Sequence, residues 1–457
     1  MENIFEILPD EILIQIFNYL DNNSMWKAMH VCKQWTEIFG NSSKLMNKFV
    51  LEVQREFMAK TKNCENLPDI PIKNVIFYDV FCYKSPREPF KKIIQKYQNS
   101  ITNIEISDFK FQLNEFIEFI EPLQELTYLK INNIEFKNQD NNSGVITLPK
   151  LKSLTIVMPT CIYFLDPLGK TTLNLFKFNK NIESLTLKGY NNFFLSDKDL
   201  NEFLTFLPNL RNLDLTSKFF LNENLPNKLE TLKIYTIEPE TVPFLKNQKG
   251  NLKWLHMHDH PRDPEIYKFI FDEMKLEKLT VSNLELISKG KIQTLEKLSL
   301  FNNLESALNL VRRCGPLKEI TIGLNDFIVR EFRILSNQPT ECFANLEKLQ
   351  ICYYSCDASD FRQELFTFLN KCKGIKILHF QLFRNSKPLD CLKSLLLCFP
   401  DLEELKIDWQ IDETVEAMCK VIKKSCRKIK TLMIKEKYRM EARRYFFFRK
   451  LVDIRPF

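Results

Sequence analysis

The sequence predicts an α/β solenoid, a horseshoe with parallel strands on its concave face and helices outside, preceded by a small all-α module. Three observations carry this expectation. An apolar pattern recurs at near-regular spacing through most of the 457 residues. Helix-period stretches separate its copies. A short amphipathic segment with its own turn signals stands ahead of them.

The all-α module is expected over residues 4–47. In LPDEILIQIFNYL, Leu8, Ile12, Leu13, Ile16, Phe17 and Leu20 form the stripe of an amphipathic helix. Pro9 suits a first turn, and Asp10 and Glu11 favour the positive helix N-terminus. Asp21-Asn22-Asn23-Ser24 offers a break and a new cap. A second helical stretch then carries Met25, Trp26, Met29, Val31, Cys32 and Trp35. Residues 48–69 read as a helical linker.

Repeats are expected over residues 70–435. The unit is apolar, two variable, apolar, one variable, apolar, as in Leu126-Leu129-Ile131, Leu210-Leu213-Leu215, Leu295-Leu298-Leu300 and Leu402-Leu405-Ile407. Fifteen copies begin between Ile72 and Ile429, 19 to 31 residues apart, with a mean of about 25 or 26. The last two apolar residues of each copy are two apart, so both point to one side of a short strand. Helix-period stretches such as Phe361-Leu365-Phe368-Leu369-Cys372 and Val415-Met418-Cys419-Ile422 supply the return. Stacked parallel units of this kind bury one continuous core. An ordinary α/β domain would not phase fifteen copies. Residues 436–457 are expected to close the last repeat as a C-terminal cap, with Tyr445 to Phe448 bracketed by Arg443, Arg444, Arg449 and Lys450.

The repeat region resembles the leucine-rich-repeat family, whose period falls in the same range. Cys314, Cys372 and Cys426 each stand three residues before the first repeat apolar, which is similar to the cysteine-containing repeats of many F-box proteins. The N-terminal module resembles the F-box family itself. That motif opens Leu-Pro-acid-Glu, reaches Tyr-Leu-Asp and closes on Val-Cys-basic-x-Trp. The chain supplies Leu8-Pro9-Asp10-Glu11, Tyr19-Leu20-Asp21 and Val31-Cys32-Lys33-Gln34-Trp35. Asn22 replaces the usual proline, and Trp26 stands where leucine is common.

The resemblance implies a substrate-recognition subunit of a Skp–cullin–F-box (SCF) ubiquitin ligase, acting in ubiquitin-dependent protein catabolism. The F-box would bind a Skp-type adaptor, and through it a cullin–RING ligase, while the repeats hold a protein substrate. Such a subunit is a non-catalytic adaptor and works by proximity. Leu8, Pro9, Ile12, Leu13, Ile16, Phe17, Leu20, Val31, Cys32 and Trp35 are the expected adaptor-binding residues. The residues leave two other readings open: a helical cap over the open end of the repeat core, and a leucine-rich-repeat scaffold that binds partners without ubiquitin transfer.

Composition narrows the classes. A net charge of +7 over this length is a mild bias, so no nucleic-acid partner is expected. Nine glycines, and no phosphate-binding, GxSxG or HExxH motif, argue against nucleotide or hydrolytic chemistry, and no cofactor is expected. Acids stand where a secretory leader needs basic residues, and no run of 18 apolar residues occurs. The thirteen scattered cysteines then read as reduced thiols in cytoplasm or nucleus, with no membrane partner.

Lysine leads the positions between repeat apolars, which allows an acidic or phosphorylated substrate segment, although charges on a sheet surface are usually only solvated. Three of the five histidines stand in WLHMHDHP. His256 and His258 share one face of a strand, as a metal pair, a partner-binding patch or solvated positions. Of these the metal pair is the least favoured, and no metal is assigned. Lys233, Tyr235, Trp254, His256, His258 and Lys278 form the expected substrate-binding patch.

Overall fold

A computed structural model describes residues 8–54, 67–78, 87–137, 144–158, 168–189, 195–223, 225, 228–259, 261, 263–281, 296–301, 317–324, 345–353, 367, 369–372, 374–382, 388–409, 415–426, 428–434 and 453–456. The chain divides into two compact units, Met1–Leu229 and Glu230–Phe457.

The first unit opens with four helices: α1 (Asp10–Phe17), α2 (Asn22–Met29), α3 (Lys33–Asn41) and α4 (Ser43–Lys48). Strand β1 (Val50–Val53) follows, and then β2 (Asn74–Tyr78), β3 (Asn103–Ser107), β4 (Lys110–Gln112), β5 (Tyr128–Asn132), β6 (Glu135–Lys137), β7 (Ser153–Val157), β8 (Ser184–Lys188) and β9 (Asn212–Leu215). Seven of these pair side by side, all parallel, in the order β1-β2-β3-β5-β7-β8-β9. Strands β4 and β6 make a separate short parallel pair.

The second unit carries β10 (Thr231–Ile234), β11 (Trp254–Met257), β12 (Lys278–Val281), β13 (Lys297–Phe301), β14 (Glu319–Leu324), β15 (Lys348–Tyr353), β16 (Ile377–Leu382), β17 (Glu404–Trp409), β18 (Thr431–Ile434) and β19 (Asp453–Pro456). These ten are also parallel, each paired to the next in chain order. Helices return the chain between strands, among them Leu113–Ile120 and Asp197–Thr205 in the first unit, Pro264–Asp272 and Val415–Ser425 in the second. This is an α/β repeat solenoid behind a small helical module.

Every one of the fifteen expected copies supplies a strand. The two apolar residues of each strand align with those of its neighbours, as Leu129 with Leu154 and Ile131 with Ile156. Leu213, Leu298 and Leu405 are all buried. A second device fixes the step from repeat to repeat. The carbonyl just ahead of most strands accepts two consecutive N–H groups from the next repeat: Lys152 and Ser153 both donate to Thr127 O, at 2.9 and 3.0 Å. The same doubled bond recurs at Glu183 O, Lys253 O, Glu347 O and Glu403 O.

Several phenylalanines line the core of the first unit. Phe77, Phe90, Phe109, Phe111, Phe116 and Phe136 form a chain of ring contacts with centroids 5.2 to 5.4 Å apart, mostly edge to face. In the second unit, the helix Val415–Ser425 buries Val415, Met418, Cys419 and Ile422, as its period requires. Cys372 and Cys426 are buried, and burial raises both thiols, Cys426 to about 12. Cys314, the expected helical residues Phe361, Leu365 and Phe368, and the basic-aromatic stretch 436–452 lie outside the described residues.

Three boundaries differ from the sequence reading. The second helical stretch is two helices, broken over His30–Cys32, where Cys32 is extended and Thr36 Oγ1 donates to the orphan Met29 carbonyl at 2.6 Å. The expected helical linker contains a strand, β1, paired to β2. Within the expected cap, residues 453–456 add one more strand to the array. No helix among the described residues is long and apolar enough to cross a membrane.

Candidate functional site

Two surfaces follow from this architecture. The first is built on α1 and the α2–α3 corner. Leu13 and Phe17 point inward, where Phe17 meets Trp35 edge-on at 4.8 Å and stacks on Phe39 at 4.8 Å. Both are buried in this chain and hold the module together. The outer side of α1 carries Ile12 and Ile16, about 40% exposed, beside Pro9. Tyr19 at 68% and Val31 at 62% extend that apolar face, with Cys32 exposed at the corner. Leu8, Leu20 and Trp35 are half-buried at its edges.

Half of the large apolar side chains exposed among the described residues thus stand in this short module: Ile12, Ile16, Tyr19 and Val31 of eight. Clustering at one place is the informative feature, since scattered single exposures are ordinary. Tyr19 is not among the expected adaptor-binding residues; its position just past the helix hides its exposure in the sequence.

The module's two departures from the family pattern have structural roles. Trp26 stacks parallel to Phe49, 6.1 Å between centroids, and its carbonyl accepts a bond from His30 Nδ1 at 2.7 Å. Asp21 caps α2 by accepting from Ser24 N at 2.7 Å, and that bond holds its carboxyl below the usual range. The Asn22 carboxamide reaches β1: Val50 N donates to its Oδ1 at 2.9 Å, and its Nδ2 donates to Val50 O at 2.6 Å. Among the described residues of this unit β1 pairs only with β2, so Asn22 satisfies its other edge as a neighbouring backbone would. Lys48 Nζ donates to Asn18 O and Leu20 O, at 2.6 and 2.7 Å, tying the end of α1 to the same joint.

The second surface lies on the outward positions of β10–β13. Trp254 is half-buried between two cations, with Lys278 Nζ 3.8 Å and Lys233 Nζ 5.1 Å from its ring centroid. His256 and His258 lie with ring centroids 4.4 Å apart, and Tyr235 is exposed just past the end of the strand that carries Lys233. The structure thus brings all six expected residues into one patch. His260 lies outside the described residues. Among the described residues no group of three His, Cys, Asp or Glu is arranged to hold a metal.

Comparison with known proteins finds one family match: residues 5–52 match the F-box-like family. No curated protein matches the chain. The match covers α1 to α4 and reaches into β1, so it ends on the strand that Asn22 clamps. The chain therefore carries an F-box-like domain, a class that generally binds Skp-type adaptors and is typically non-catalytic.

Proposed function

We propose that this protein is the substrate-recognition subunit of an SCF ubiquitin ligase. Its F-box-like domain binds a Skp-type adaptor, and its strand arrays, read as leucine-rich repeats, bind a protein substrate for ubiquitination and degradation. The observation that carries the reading is the exposed apolar face of Pro9, Ile12, Ile16, Tyr19 and Val31 inside the domain that matches the family. A module this small is marginal by itself, and a partner that covers such a face supplies the missing burial. The work of the chain would be proximity, raising the local concentration of substrate lysines beside a ubiquitin-loaded enzyme in the cytoplasm or nucleus.

The test is co-purification of the full chain with a Skp-type adaptor and a cullin. Ile16→Asp with Val31→Asp places two charges in the face and should reduce adaptor capture at least 100-fold while the melting temperature holds. Undiminished capture would sink the reading. Adaptor capture without ubiquitin transfer to any bound partner would favour the interaction scaffold.

A further inference from the structure

We infer that the outward face of β10–β13 is a docking surface for an acidic protein segment carrying several Asp or Glu carboxylates; this rests on the reading that the strand arrays hold the substrate. The first ground is charge. Lys233, Lys278 and Lys297 project from β10, β12 and β13, with His256 on β11 and His258 just past its end between them. No Asp or Glu occupies an outward position on these four strands; the first is Glu319 on β14. Glu319 is engaged at its own end of the row, by Lys297 at 3.4 Å and Lys348 at 2.8 Å. The outward row of the first unit, by contrast, carries acids on three strands, Glu52, Glu105 and Asp214.

The second ground is order. Both ammonium groups lie over the Trp254 ring, so each is already held against the indole. An anion binding there loses less affinity to side-chain ordering than at free surface lysines. Burial pushes the Lys278 ammonium pKa down, and Lys297, Lys233 and Lys348 push it further, against an opposing pull from Glu319. An arriving carboxylate relieves that repulsion.

The geometry favours carboxylates over a single phosphate. Adjacent strands stand about 4.8 Å apart, so lysines on β10, β12 and β13 form a row and not a focus. Outward positions on these strands hold no arginine, whose planar fork suits a phosphate group. An extended segment with acids at alternate positions meets successive lysines along such a row.

The experiment titrates the full-length chain against fluorescent dodecapeptides and reads anisotropy. One peptide alternates Glu with Ser, a second replaces Glu by Gln, and a third carries one phosphoserine among Gln. The expected result is binding of the Glu peptide alone, weakened several-fold as salt rises from about 50 to 200 mM. Lys233→Gln with Lys278→Gln should weaken it at least ten-fold, while Lys130→Gln leaves it unchanged. Equal binding of the Gln peptide, binding of the phosphoserine peptide alone, or an unaffected double variant overturns the inference. Should the double variant melt early, Lys233→Glu alone is read in its place. Adaptor capture is measured on the same samples: peptide binding lost with capture intact sinks only this inference, and wild-type capture lost sinks the ligase reading.

Discussion

Asn22 concentrates two functions in one side chain. It starts α2, and its carboxamide meets the first strand with a donor and an acceptor, as another backbone would. Replacing it by Ala leaves Val50 N–H and C=O without that partner, so stability should fall by about 1–3 kcal/mol in urea unfolding. Asn22→Pro should lose as much, although it restores the residue usual in the family. His379 offers a second test. Burial lowers its pKa, outweighing the 3.0 Å contact to Glu404, so the folded chain prefers the neutral ring. The unfolded ring protonates first, near its ordinary value of about 6.5. Stability should therefore be full above that value and decline as pH falls through it toward the lowered folded value. His379→Gln should flatten this slope, and a slope unchanged in that variant would mean another group titrates. Single-residue roles were only partly legible in the sequence. The stripe of α1 named Ile12 and Leu13 together, and only packing separates the exposed one from the buried one.

At the scale of elements, the strands were legible because a two-residue period admits one inward register. Leu126, Leu129 and Ile131 announce β5, and each of the other fourteen copies announces its strand in the same way. Strands β1 and β19 escaped for identifiable reasons. The place of the first apolar before β1 is Lys48, recruited to cap the carbonyls of Asn18 and Leu20. In β19 the third apolar place is Pro456, opposite Ile434. Proline has no N–H to offer a further strand, so it suits an edge and breaks the pattern there. Burial of the strand leucines gives a direct test. Leu213→Ala and Leu405→Ala should each cost about 2–5 kcal/mol, read from the denaturation midpoint. Losses well below 1 kcal/mol at both would mean the inward register is misassigned.

Across the whole molecule, the two candidate surfaces use opposite physics and belong to different units. The face on α1 is apolar, whereas the face on β10–β13 is cationic. Salt should separate them: raising it to about 0.5 M should leave adaptor capture within two-fold and weaken acidic-peptide binding at least ten-fold. Parallel weakening of both would show that charge dominates the adaptor contact too. The doubled acceptance of N–H groups by one carbonyl ahead of most strands has its own consequence. It indexes a repeat to its neighbour at a single point, independent of how many residues the chain spends before returning there. Spacings of 19 to 31 residues are thus compatible with one register inside each unit. Such a chain can lengthen or shorten its return segments over evolutionary time and diversify its outer face, while the row of side chains that would meet a partner keeps its alignment.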